Sequence, residues 1–162
     1  MQSGKEVRQM KRYAVDFITE GKQKLFYIKD TETLDIVLLP TKYLKHKADA
    51  NRSPNTVRRI AFSLCYYLNY LFQTETKLTN ISNLNFEEQS RHFGQFLYWI
   101  KEGSHITDNR TARTGNGTCN AYLKDVFGFF LYLADCGYAK PLRVLAYNQI
   151  TVANAVGVKR TI

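Results

Sequence analysis

The sequence predicts a mainly α-helical fold: four helices, preceded by a small N-terminal β-hairpin. Three observations carry this. Apolar residues recur at helical spacing in three long windows, two of which open on a clear capping residue. Of the 162 residues, 44% are hydrophobic and 14% aromatic, enough for a core and too many for a disordered chain. Glycine (9) and proline (3) are scarce, which excludes collagen-like and linker-like classes.

Taken in order, residues 1–11 are polar and charged and are expected to fray. Residues 24–29 and 34–39 are short runs of strand formers with a polar turn at 30–33 between them, and read as a hairpin. Pro40 then opens a short helix over 41–49, with Tyr43 and Leu44 as its apolar contacts. Ser53 is an N-cap and Pro54 fits the first helical position, where its missing N–H costs nothing. Behind them Val57, Ile60, Ala61, Leu64, Leu68, Leu71 and Phe72 keep helical spacing to about Gln73.

A third helix starts at Asn85, with Glu88 completing a capping box. Phe93, Phe96, Leu97 and Ile100 form its stripe, and Gly103 ends it. Residues 104–117, with Gly115 and Gly117, read as a loop. The fourth helix covers 118–135 and turns Cys119, Leu123, Val126, Phe127, Phe130, Leu131 and Ala134 inward, with Gly137 as the C′ residue. Past Pro141, residues 142–147 and 149–152 look extended and are expected to lie against the hairpin. Residues 157–162 bring no terminating structure, as though the chain were cut from something longer.

The longest apolar stretch, 126–134, is far short of the ~20 residues a membrane helix needs. The first residues contain no apolar signal core. A soluble, cytoplasmic chain without a membrane partner is expected. Cys65, Cys119 and Cys136 have no short pairing and read as reduced core residues. His46, His92 and His105 are far apart, and neither His-x-x-His nor Cys-x-x-Cys occurs, so neither a metal nor a cofactor is expected. Nucleophile-elbow and phosphate-loop motifs are absent, and Glu87 and Glu88 read as N-terminal dipole partners. No catalytic residue is assigned.

Charge points towards nucleic acid. The 23 basic and 14 acidic residues give a net +9. By segment, 1–50 carry 10 basic and 7 acidic residues, 51–80 carry 4 and 1, 81–109 carry 2 and 4, and 110–162 carry 7 and 2. The excess therefore skips the third segment, as an oriented binding face would. Two clusters lie in the basic segments. Arg52, Ser53, Asn55, Thr56, Arg58 and Arg59 gather at a helix start, where free N–H groups attract phosphate, and Asn55, Arg58 and Arg59 sit off the apolar stripe. Arg110, Arg113, Thr114, Asn116, Thr118, Asn120 and Lys124 run from a loop into the next helix with the same ingredients: arginine forks, amides, hydroxyls and glycines. An ordinary cap with solvated charges accounts for either cluster alone.

These residues resemble a known family. Ser53, Pro54, Asn55, Thr56 and Val57, followed by Leu64, Tyr67, Leu68 and Leu71, are similar to the second helix of the core-binding domain of tyrosine recombinases of the phage-integrase type. The run from Arg113 to Leu123, followed by Val126, Phe127, Phe130, Tyr132 and Leu133, resembles that domain's fourth helix, and Lys140, Pro141 and Leu142 resemble its exit. The resemblance spans roughly residues 40–142. It implies a SAM-like four-helix bundle that clamps one side of duplex DNA during site-specific integration and recombination, as in a mobile element. It further implies a DNA-binding domain over 40–142 and a linker over 143–162 leading to a catalytic domain absent from this sequence, while the tail and hairpin over 1–39 depart from the minimal four-helix pattern. No His-x-x-Arg is present, so the chain alone is expected not to be an enzyme, and other recombinase subunits are its expected partners. Two rivals stand beside this reading. One is a helical protein-interaction module, whose binding would survive high salt. The other is a helix-turn-helix regulator, which requires adjacent helices rather than starts separated by about 60 residues.

Overall fold

The hairpin forms, but from a different pair of strands. The computed structural model describes residues 11–50, 52–106 and 114–145. Strand β1 (Tyr13–Glu20) pairs antiparallel with β2 (Gln23–Asp30), from Tyr13 opposite Asp30 to Glu20 opposite Gln23. Gly21, at φ +65°, takes the first position of the two-residue loop, a left-handed backbone that hairpin turns favour and only glycine adopts freely. The 34–39 run does not make the expected second strand. It contributes a single bridge, Ile36 to Lys29, and then enters helix α1 (Leu38–Asp49). Pro40 explains the switch, because it has no N–H for a ladder and its fixed φ suits a first helical turn.

Helix α2 (Pro54–Gln73) starts as expected, with the Ser53 hydroxyl accepting from the Thr56 N–H. Its Asn69 pins β1: the side chain accepts from the Tyr13 N–H at 2.8 Å and donates to the Tyr13 carbonyl at 3.2 Å. A four-residue helix, α3 (Leu78–Ile81), leads to α4 (Phe86–Lys101), which opens on the complete Asn85–Glu88 capping box. Gly103 at φ +79° follows its end. Helix α5 (Asn116–Asp135) begins two residues earlier than the spacing suggested, so Gly117 is helical, and Gly137 at φ +80° closes it.

The chain is thus mainly helical with one small antiparallel sheet. Its centre is Tyr67, fully buried, with Phe96, Phe130 and Phe93 at ring distances of 5.1, 5.9 and 6.1 Å. The Tyr67 hydroxyl lies 2.8 Å from His92 Nε2.

Three further expectations are corrected. Leu131 is 44% exposed, because Val126, Phe129, Phe130 and Leu133 take the buried positions of α5. Cys136 is exposed beyond the last turn, whereas Cys65 and Cys119 are buried. The 143–145 segment is helical and docks on the start of α4 rather than on the hairpin. Buried Gln89 accepts there from the N–H groups of Arg143 and Val144, at 2.8 and 3.2 Å. Residues 146–162 lie outside the described residues. Among the described residues no helix is long and apolar enough to cross a membrane, and no cluster of metal-binding side chains occurs.

Gly128 shows how closely α1 and α5 approach. A Cβ built there would lie 2.7 Å from the Tyr43 hydroxyl, and Tyr43 is itself held between Phe129 and Tyr132. Gly128→Ala should therefore cost roughly 1–3 kcal/mol through overpacking. Gly94 on α4 meets nothing within 4 Å, so Gly94→Ala should gain about 0.5–1 kcal/mol of helix propensity. Urea midpoints of the two variants check this pair, and equal effects would contradict it.

Candidate nucleic-acid interface

Helices α2 and α5 are locked together at the first predicted cluster, one residue past Lys124 of the second. Asp125, a single acid in an apolar stretch of α5, is buried and accepts from Arg59 Nε and Nη2 at 3.0 and 2.9 Å. The Ser63 hydroxyl donates to the same carboxylate at 2.7 Å. A bidentate pair of this kind fixes geometry as well as charge. The hydrogen bond to Asp125 holds Arg59 protonated, its pKa raised above the usual guanidinium value. Arg59 is thus turned sideways onto α5, with half of its side chain still exposed.

Arg58 takes the outer face. Its guanidinium lies 4.9 Å from the Phe62 ring, Phe62 is 6.2 Å from Tyr66, and Tyr66 is 5.2 Å from Tyr122 on α5. The i, i+4 spacing of 58, 62 and 66 makes this one line along α2. His105 closes it, 4.7 Å from Tyr66 and 5.9 Å from Tyr122. Burial pushes the Tyr66 phenol up to about 12, so it stays neutral and adds no negative charge to the face.

The other sequence-selected residues fall around this line. Arg52 and Asn55 are exposed at the start of α2, and Arg52 has no ion-pair partner among the described residues. Ser53 and Thr56 are engaged with each other in the cap, hydroxyl to hydroxyl at 2.9 Å. On α5, Asn116, Thr118, Asn120 and Lys124 are exposed. Gly115 occupies the N-cap without a side-chain hydrogen bond, so among the described residues no N-cap side chain covers the first-turn N–H groups. Thr114 is half-buried and its N–H donates to the Lys101 carbonyl. Arg110 and Arg113 lie outside the described residues.

Electrostatically, α2 contains no acid, and α5 contains only Asp125, neutralised by Arg59, and Asp135 at its far end. Glu87 and Glu88 belong to the first turn of α4, where they face the helix dipole and the cap. Sequence reasoning missed Asp125, Phe62, Tyr66 and Tyr122. The lone acid among the apolar residues of α5 was the one available signal for the first. The aromatic line became legible only once α5 was placed against α2. Comparisons with models of known families, with curated proteins and with solved structures found no match.

Proposed function

We propose that this chain binds duplex DNA, as the non-catalytic, SAM-like core-binding part of a site-specific tyrosine recombinase. The observation that carries this reading is the Arg59–Asp125–Ser63 lock. It ties the basic start of α2 to the middle of α5, next to Lys124, and pairs with Arg59 the one carboxylate that would oppose phosphate there. Arg52 just before α2 and Asn55 and Arg58 on it are exposed, as are Asn120 and Lys124 on α5. Arginine and lysine provide phosphate contacts that set register, and the amides offer readout of base edges. On this reading the chain holds DNA, and cutting and rejoining belong to a separate catalytic unit.

The test is a charge swap with a control. Arg58→Ala with Lys124→Ala should weaken binding to a duplex roughly ten-fold and make the salt dependence shallower by about two contacts. Glu87→Gln with Glu88→Gln should leave affinity unchanged or slightly raised. Thermal melting is run alongside, because loss of the Glu88 cap should cost about 1 kcal/mol. If the glutamine pair weakened binding as much as the alanine pair, with folding intact, an oriented face would be ruled out.

A further inference from the structure

We propose that the open edge of β2 is a docking site for an extended, acidic and apolar segment of another protein, which adds a third strand to the hairpin. This inference is independent of nucleic-acid binding. It begins with backbone hydrogen bonds. The Ile28 N–H donates to Thr41 Oγ1 at 3.3 Å and its carbonyl accepts from the Val37 N–H, while the Asp30 N–H donates to the Asp35 carbonyl. All of these groups point away from β1. Backbone direction alternates with period two in an antiparallel strand, so the N–H and C=O groups of Lys24 and Phe26 point the same way. No hydrogen-bonding group among the described residues meets them. Two residues of ladder therefore stand open.

A cavity of about 480 Å³ runs along that edge. Its wall includes Leu25 and Tyr27 from one face of β2 and Lys24 and Phe26 from the other. Residues of both faces border a single space where that space follows the strand's edge. Leu44, Ala48 and Val57 form the opposite side, and Ile36 and Leu34 the rim, 56% and 76% exposed. Leu34 is also held at φ +66°, an unfavourable backbone for a residue other than glycine. An unpaired edge beside an apolar groove is the geometry of strand addition, where backbone bonds give affinity and side-chain pockets give selectivity.

Charge selects the occupant. Lys24, Lys29, Lys45 and Arg52 line the groove, and among the described residues no carboxylate does. Lys29 and Lys45 hold exposed pairs with Asp16 and Asp49 at 3.0 and 3.4 Å, weak enough to be exchanged for an incoming acid. Lys24 covers the Phe17 ring at 4.6 Å. A second copy fits poorly, because the chain carries +9 and a two-fold edge pairing would bring Lys24 close to its own copy. The chain's own longer segments outside the described residues, 1–10, 107–113 and 146–162, are each net positive as well. A foreign segment alternating apolar and acidic residues satisfies the edge, the groove and the field together.

The probe is a fluorescein-labelled octapeptide of alternating valine and glutamate, titrated into the full chain without nucleic acid. It should bind at least about ten-fold more tightly than the valine–lysine octapeptide, and should slow hydrogen exchange of the Lys24 and Phe26 amides about ten-fold or more. Lys24→Pro removes only an outward N–H and leaves the β1 ladder intact, so it should weaken binding about ten-fold, whereas Lys24→Gln should cost about two- to three-fold. Equal binding of the two peptides, no added protection at Lys24 and Phe26, or unchanged affinity in a folded Lys24→Pro chain would each overturn the proposal. So would protection that grows with protein concentration in the absence of peptide, since the edge would then belong to a second copy. The exchange measurement uses the unaltered chain and decides the matter even if Lys24→Pro fails to fold.

Discussion

Tyr67→Ala is expected to remove about 4–8 kcal/mol of stability, close to the whole margin of a small domain. Two effects add. The ring is fully buried among Phe93, Phe96 and Phe130, and truncating an aromatic residue in such a site costs about 3–5 kcal/mol. Its hydroxyl also loses the 2.8 Å bond to His92, which leaves a buried imidazole nitrogen without a partner at a further cost of about 1–3 kcal/mol. Tyr67→Phe separates the two, since it keeps the ring and should cost only the hydrogen-bond share of about 1–3 kcal/mol. Urea unfolding at constant slope measures both. A Tyr67→Ala chain within about 0.5 kcal/mol of the parent would mean that this aromatic centre does not hold the helices together.

Mild acid should destabilise the fold by about 4–6 kcal/mol between pH 6.5 and 4. Burial lowers His92 to about 4. Burial, helped by the charge of Lys11, lowers His105 to about 4 as well. The unfolded chain binds these two protons near pH 6.5 and the folded chain only near 4, so protons favour the unfolded state in between. The stability is therefore fully present above 6.5, falls through the window, and is lost by about pH 4, at roughly 2–3 kcal/mol per histidine. Asp16 and Asp30 titrate lower still, the first held down by hydrogen bonds from Lys29 and the Phe17 N–H, and the second, against the cost of burial, by the N–H groups of Glu32 and Thr33 and by Arg12. Their contribution is lost only below the histidine window. His105→Gln should remove about half of the slope, and His105 is the better choice because His92 also supports Tyr67. Urea midpoints at pH 7, 5.5 and 4.5 read the effect. A flat profile would contradict it.

Helix starts were the most legible part of the fold. Ser53, Pro54 and the Asn85–Glu88 box carry their own local chemistry, and each caps the helix it was assigned to. The hairpin was less so. Residues 13–20 are the richer in strand formers, yet 34–39 is the more continuously apolar run, and the outcome turned on Pro40 and on Asn69 reaching β1 from α2. In α5 nearly every side of the helix is apolar, so spacing alone could not choose Phe129 over Leu131. For the candidate site, local composition located Arg58 and Lys124 as outward cations, because charged residues off an apolar stripe have few places to go. It could not show that Arg59 turns onto Asp125, since that pair spans 66 residues and exists only once two helices meet.

Binding to duplex DNA is the central claim, and its salt dependence tests it most directly. With about five phosphates neutralised, a plot of log K against log salt should fall with a slope of roughly −4 to −5 between about 50 and 200 mM. Fluorescence anisotropy with a labelled duplex and the full chain measures it. A slope in that range supports a face built on the start of α2 and the outward residues of α5. A slope near zero, or no binding at the lowest salt, would contradict it.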